Sequence, residues 1–287
     1  MEELIILEPE IKEMIWGWEF WTVSAHPNGD CRVREGKYKG LKLSELWRDH
    51  REVFGNAKGD VFPLLVKRID AKDDLSIQVH PDDEYAKLHE DGSLGKTECW
   101  YVIDSKPEGS IIIGHNAKTK EELKEMIDNE RWKDLLREIP TKKGDFFQIV
   151  PGTVHAIKNH TEIMEIQENS DITYRLYDYD RLKEGKRREL HIEKSLDVIK
   201  VPYKDPDKNT GGIKDRLVSC RYYTVDKRII DGSASYEQDK PFKIISVIEG
   251  EGDIDGHRIR FGDSLIIPYG YGRYTINGNI TVLITGI

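Results

Sequence analysis

Apolar residues along this chain gather in short runs, rich in Val, Ile, Trp and Phe, that turn residues keep interrupting. Through residues 1–115 the interruptions fall at Asn28-Gly29, Gly36, Gly40, Gly55 and Gly59, which predicts mostly strands and turns. Residues 62–80 (FPLLVKRIDAKDDLSIQVH) hold two strand-like segments around a polar turn at Ala71–Asp74. Pro81-Asp82-Asp83-Glu84 then opens a short helix, because acidic residues in a first turn suit the helix dipole. A second helix is expected at about 119–138, where Leu123, Met126, Ile127, Trp132, Leu135 and Leu136 keep an approximate helical spacing until Pro140. Strands resume at Phe146–Val150, Ala156–Ile157, Glu162–Gln167 and Thr173–Tyr177. The charged stretch Lys183–Lys208, closed by Pro202 and Pro206, has the character of a link. Beyond it, residues 215–287 break into short strands at Glu249–Gly252, Asp255-Gly256 and Asn277-Gly278, the last a hairpin signal. Many short strands with two isolated helices predict a mainly β, jelly-roll architecture.

Composition narrows the class. A chain of 287 residues, 38% apolar and 34% charged, is long enough for two domains and too apolar for disorder. No apolar run approaches the ~20 residues that span a bilayer. The acidic N-terminus lacks a signal peptide's basic region, and Cys31, Cys99 and Cys220 are odd in number and far apart, so a cytoplasmic location is expected. The net charge of −9 is a poor start for nucleic-acid binding, although a small phosphorylated ligand needs only a few cations in a cleft.

Two stretches resemble each other. Gly144-Asp145 leads through an apolar run and a turn to His155, and Gly262-Asp263 leads in the same way to Arg273, as if one β-barrel unit occurred twice. In the second copy arginine replaces histidine, and arginine has no lone pair to offer a cation. The second half, with His257 standing alone, is expected to be metal-free.

The chemistry is concentrated in the first half. Gln78 and His80, two apart on a strand, share a face. Glu98 lies beyond the intervening helix, and His155 follows a Pro-Gly turn. Two imidazoles, one carboxylate and one amide oxygen form a mixed N/O set for a divalent ion with positions left for substrate; zinc is the first choice, and iron, manganese or cobalt would also be accepted. Alone, a Gln-x-His pair is ordinary strand decoration and Glu98 a solvated charge. Their combination at strand edges is what carries the reading.

The runs SIQVHPDDEYA, GKTECWYVI, VPGTVHAI and EIQENSDITYRLYDYDR, in that order, resemble the type I phosphomannose isomerases of the cupin superfamily, in their short bacterial form. IWGWEFWTVSAHPNG and FPLLVKRIDA look like that family's opening strands, so the resemblance covers roughly residues 14–190. It implies two cupin-type jelly-roll barrels, a catalytic domain over residues 1–200 with the helical insert and a degenerate one over 201–287. It also implies metal-dependent interconversion of mannose-6-phosphate and fructose-6-phosphate through an enediol. The family's metal ligands fall on Gln78, His80, Glu98 and His155, one ion per chain. Its active-site residues fall on Lys96, Lys67, Ser76, Glu165 and Arg175: Arg175, Glu165 and Lys96 as catalytic, Lys67 and Ser76 as substrate-binding. Val150 stands where the cupin pattern has proline, with Pro151 following it.

Physical chemistry makes these roles coherent. Moving a proton between C1 and C2 builds negative charge on the sugar oxygens, which a metal and Arg175 would meet while Glu165 carries the proton. Another cupin phosphosugar isomerase and a non-catalytic sugar-binding cupin remain the alternatives. A small phosphorylated sugar is the expected partner, with no nucleic acid and no membrane, and the chain is expected as a monomer or weak dimer. The other histidines are read as surface or structural, and the basic run Arg181, Lys183, Lys186, Arg187 and Arg188 as a solvated loop.

Overall fold

The computed structural model describes residues 3–287. Strands dominate it, and contacts divide the chain into two compact units. One takes the chain up to Ile11 with Phe20–Arg68 and Lys208–Ile287, and the other takes Lys12–Glu19 and Ile69–Asp207. The contacts thus differ from a single division near residue 200. The reason is a long-range pairing: the strand Ile5–Glu8 runs antiparallel to Ser264–Ile267, with Ile5 opposite Ile266. Such a pairing leaves no trace in local composition.

In the unit holding the C-terminus, the sheet runs in the order Arg216–Ser219, Thr224–Glu237, Arg273–Gly286, Lys243–Ile254, Ser264–Ile267, Ile5–Glu8 and Arg32–Val33. Its buried face carries Ile245, Val247, Leu265, Ile276 and Val282. A second buried cluster packs Trp47 from the helix Leu43–Asp49 against Phe54, 5.1 Å between ring centroids, and Phe62 against Phe242, also 5.1 Å. Glu249–Gly252 and Asn277-Gly278 are not turns here, because Lys243–Ile254 and Arg273–Gly286 pass through them as continuous strands. Gly278 lies opposite Gly232 on one neighbouring strand and Gly252 on the other. A Cβ on Gly278 would come within 2.5 Å of the Glu251 carbonyl oxygen, and its φ is +129°. The glycine serves close strand approach, the same permissiveness that makes it a turn signal elsewhere.

The other unit is two sheets and a helical layer. Its first sheet has the order Phe146–Ile149, Glu98–Ser105, Thr161–Glu168, followed by the strands that contain Ile69–Ala71, Gly17–Glu19 and Lys12–Met14. Its second has the order Leu136–Pro140, Ser110–His115, His155–Ile157, Ile77–Val79, Tyr174–Tyr177. One face of the second sheet, with Ile111, Ile113 and Ile157, packs on Trp100, Val102, Ile149 and Ile163 of the first. The opposite face, with Ile77, Val79, Ile112 and Ala156, packs on Leu123, Met126 and Ile127 of the helix Lys120–Asp128. Covered on both sides, Ser110–His115 is buried at every position, which is why its sequence does not alternate.

The helix expected over 119–138 is three elements. Lys120–Asp128 is helical with Thr119 as N-cap, its hydroxyl accepting from the Glu122 amide at 3.2 Å. At Glu130 the backbone turns left-handed (φ +52°), which ends the helical path. A four-residue helix, Trp132–Leu135, follows, and Leu136–Pro140 becomes an edge strand paired with Ser110–His115. The helix after Pro81 is present as Asp83–His89, with Asp82 accepting from the Tyr85 amide at 2.9 Å. Within the expected link lies a further helix, Ile192–Val198. Among the described residues no helix is long and apolar enough to cross a membrane.

Candidate active site

The strand Ile77–Val79 sits between His155–Ile157 and Tyr174–Tyr177, and register fixes what lies side by side: Gln78 faces His155 on one strand and Arg175 on the other. Directly opposed residues project to the same side of a sheet. Ile77 and Val79 take the face covered by helices, so Gln78 and its neighbours take the face turned to the first sheet. His80 follows at the strand's end, and Ser76, also buried, precedes it. The Pro151-Gly152 turn holds His155 in place. Gly152 adopts φ +85° and donates its amide to the His80 carbonyl at 2.9 Å, so the turn is tied to the strand it must serve. The Thr153 amide closes the turn by donating to the Val150 carbonyl at 3.1 Å, and Gly152 supplies the left-handed conformation it needs.

On the facing sheet, alternation brings Glu98 and Trp100 to one side, opposite Gln167 and Glu165. His80, Glu98 and His155 each direct one donor atom so that all three atoms lie within 4.8 Å of one another, and all three residues are buried. His80 Nε2 is 3.1 Å from His155 Nε2, and the Glu98 carboxylate oxygens lie 3.5 and 3.4 Å from those two nitrogens. The Nδ1–H of His155 donates to the Thr153 carbonyl at 2.8 Å, which leaves Nε2 as a lone-pair donor. Burial, together with the nearby Lys96 charge, pushes the His155 pKa down to about 4, against the pull of that carbonyl, so the ring is neutral. Two imidazole nitrogens converging beside a carboxylate fit a divalent cation, since ligands about 2.0–2.1 Å from one ion stand roughly 3.3 Å apart. Gln78 lies beside His155 in register, on the neighbouring strand.

Lys96 Nζ lies 2.7 Å from Glu98 Oε2 and 3.2 Å from His80 Nε2, a buried ammonium at the edge of the donor set. Glu165, also buried, accepts from the Trp100 indole N–H at 3.0 Å, and the Trp100 ring meets the His155 ring edge-on at 5.4 Å. The Arg175 main chain is pinned by His191, whose amide donates to the Arg175 carbonyl at 2.8 Å and whose Nδ1 accepts from the Arg175 amide at 3.2 Å. The Arg175 Nε is buried without a hydrogen-bond partner among the described residues. Burial, and then the charge of Arg188, lowers the proton affinity of this guanidinium. Lys67 belongs to the other unit, where it is buried with its ammonium 4.7 Å from the Trp21 ring centroid.

Comparisons with known proteins bear directly on this arrangement. The phosphomannose isomerase type I catalytic-domain model matches residues 2–116, and the mannose-6-phosphate isomerase cupin-domain model matches residues 213–286. Mannose-6-phosphate isomerase ManA of Bacillus subtilis is 49% identical over 96% of this chain and 96% of its own. The chain belongs to the type I phosphomannose isomerase family. A mannose-6-phosphate isomerase of Streptococcus mutans is 43% identical, covering 99% of this chain and 98% of its own. The crystal structure of a mannose 6-phosphate isomerase from Bacillus subtilis superposes with a TM-score of 0.95 at 43% identity, with both chains covered completely. The catalytic-domain match over residues 2–116 includes His80 and Glu98.

Other residues of this family member matter to the site without standing out in sequence. Trp100, two residues after Glu98 on one strand, is the donor that holds Glu165. Arg181 and Arg188 are not free solvated cations: both grip the buried Asp178, at 2.7 and 2.5 Å, while Lys183, Lys186 and Arg187 are exposed. Glu168 is buried behind the ligand strand and accepts from the Thr97 amide at 2.8 Å. Burial raises its pKa from 4.5 to about 7, against that hydrogen bond and with a smaller push from Asp83.

A carboxyl whose folded pKa is raised holds its proton in the folded state. Stability is therefore lost as pH climbs from the unfolded value near 4.5 toward 7, and stays lost above it. Glu168→Gln removes that penalty. Relative to wild type, the variant should gain on the order of 2 kcal/mol between pH 5 and pH 8, read from denaturant midpoints at each pH. Parallel pH profiles for the two proteins would refute the assignment.

Proposed function

We propose that this family member interconverts mannose-6-phosphate and fructose-6-phosphate at the His80, Glu98 and His155 cluster, with Gln78 completing the ligand set and zinc as the ion. The observation that carries the reading is the pair of imidazole nitrogens 3.1 Å apart beside a buried carboxylate, in a chain whose relatives are named for this reaction. When bound, the ion supplies positive charge beside the sugar oxygens as they become negative. Glu165 moves the proton between C1 and C2, its carboxylate aimed by the Trp100 indole. Arg175, on the Gln78 side, meets the oxygen charge with a partly buried guanidinium. Lys96 orients the Glu98 carboxylate and supplies a cation at the cluster's edge. Lys67 and Ser76 bind the phosphorylated substrate.

The reading extends to two cupin-type barrels, the catalytic one first and a metal-free second one, in a cytoplasmic protein that is a monomer or weak dimer. The match of residues 213–286 to a cupin-domain model supports the second barrel. Metal-replete protein supplied with mannose-6-phosphate, with fructose-6-phosphate detected by a coupled enzyme, tests the activity directly; no ketose product would end the proposal. Trp100→Phe should lower kcat roughly tenfold with KM and metal content held, since only the aim of Glu165 changes. An unchanged kcat would take Trp100 out of the site.

A further inference from the structure

The second sheet carries a cavity on the face away from the metal-ligand cluster. It measures about 830 Å³. Ile77 and Ile112 form its floor, and both belong to the helix-covered side, whereas Gln78 and His155 face the first sheet. Its wall is aromatic: the rings of Trp132 and Tyr177 lie nearly parallel (15°) with centroids 4.8 Å apart, and Tyr179 adjoins Tyr177 at 5.0 Å. Trp132 and Tyr177 are only half-buried, so part of the stacked pair stays open to solvent at the edge of an apolar-floored hollow.

Three features point to a ligand. The volume falls within the about 300–1,000 Å³ typical of small-molecule sites. The turn that presents Tyr179 is strained, because Tyr179 and Asp180 are consecutive left-handed residues (φ +56° and +54°) where asparagine and glycine would sit at ease. The charge of the rim is the third. Its cations are Arg131, Lys133 and Lys158 and its carboxylates Glu130, Asp134 and Glu138. Arg131 already pairs with Glu125 at 3.0 Å and Asp134 at 3.2 Å, and Lys158 with Asp74. A phosphate dianion would enter a neutral-to-acidic field with two of three cations engaged.

We propose that this cavity is a second carbohydrate site that takes a neutral pyranose, distinct from the phosphorylated substrate of the metal cluster. A pyranose has an apolar face of axial C–H groups, which suits the negative face of an aromatic ring, and a rim of hydroxyls that donate to carboxylates. Trp132 supplies the platform, and Asp134 and Glu138 accept from the hydroxyls. The site lies on the second sheet, whose other face carries Gln78, His155 and Arg175, so occupancy braces the strands that position them.

Methyl α-D-mannopyranoside is the appropriate probe: it is uncharged, and its blocked anomeric carbon cannot be isomerised. Calorimetric titration into the metal-replete enzyme should give saturable binding with a Kd on the order of 1 mM, as expected for so small a ligand. The Trp132 indole N–H resonance, assigned by its loss in Trp132→Phe, should shift along the same curve, and saturating mannose-6-phosphate should leave the binding intact. Trp132→Ala should weaken the glycoside roughly tenfold while metal content and isomerase turnover persist. If Trp132→Ala does not fold, the indole shift in the wild-type protein decides alone. Absence of saturable binding, an unmoved Trp132 resonance, or displacement by mannose-6-phosphate would each overturn the proposal, the last by placing the glycoside in the metal site.

Discussion

His155→Ala should lose the metal and the activity together. His155 is fully buried, its Nδ1–H is spoken for by Thr153, and its Nε2 is one of three donor atoms converging within 4.8 Å. Alanine removes that donor and leaves Glu98 and His80 with Lys96 as the nearest cation, an arrangement that neutralises charge without offering a site for a substrate oxygen. The lost electrostatic stabilisation amounts to several kcal/mol, so turnover should fall roughly a thousandfold or more. The same truncation opens a small cavity between Ser110–His115 and Ile77–Val79, so folding must be checked independently by circular dichroism. Elemental analysis of the purified variant gives the decisive number. Full metal occupancy in a folded His155→Ala protein would show that the ion is held elsewhere.

The parts of this site that were legible in sequence share one property: they depend on strand periodicity. Gln78 and His80 share a face because residues two apart do, with His80 just past the strand's end. The short-run pattern likewise indicated a mainly β chain. What escaped the sequence depends on pairing across long separations. No local signal says that Ile5 will lie opposite Ile266, or that Asp178 will gather Arg181 and Arg188 out of a run that composition alone makes a solvated loop. The helix over 119–138 was misjudged for a related reason. Leu135 and Leu136 keep helical spacing, yet the edge of the second sheet offers Leu136–Pro140 a ladder with Ser110–His115, and tertiary pairing outweighs a weak propensity. Asn277-Gly278 shows the reverse error, a turn signature used for strand crowding instead.

Arg175→Ala should separate catalysis from metal binding. Arg175 stands next to Gln78 in register but is not a donor to a cation, so its removal leaves His80, Glu98 and His155 untouched. Its guanidinium is costly to keep where it is: burial opposes the charge, Arg188 repels it, and Nε has no partner among the described residues. Asp178, Asp171 and Glu189 offset only part of that cost, so the variant should fold about as well as the wild type. The gain comes when an oxygen beside it turns negative, because a fixed cation in a dry site meets developing charge without reorganising. Deleting one such donor should cut kcat about 100- to 1,000-fold with metal content unchanged. Arg175→Lys should recover little of this, since a compact ammonium cannot reproduce the planar fork of donors. Measuring kcat, KM and bound metal on the same preparation separates the two roles. Turnover near wild type in a metal-replete Arg175→Ala enzyme would leave that guanidinium without a catalytic purpose and move the search for the charge-stabilising group to Lys96, a buried cation at the cluster.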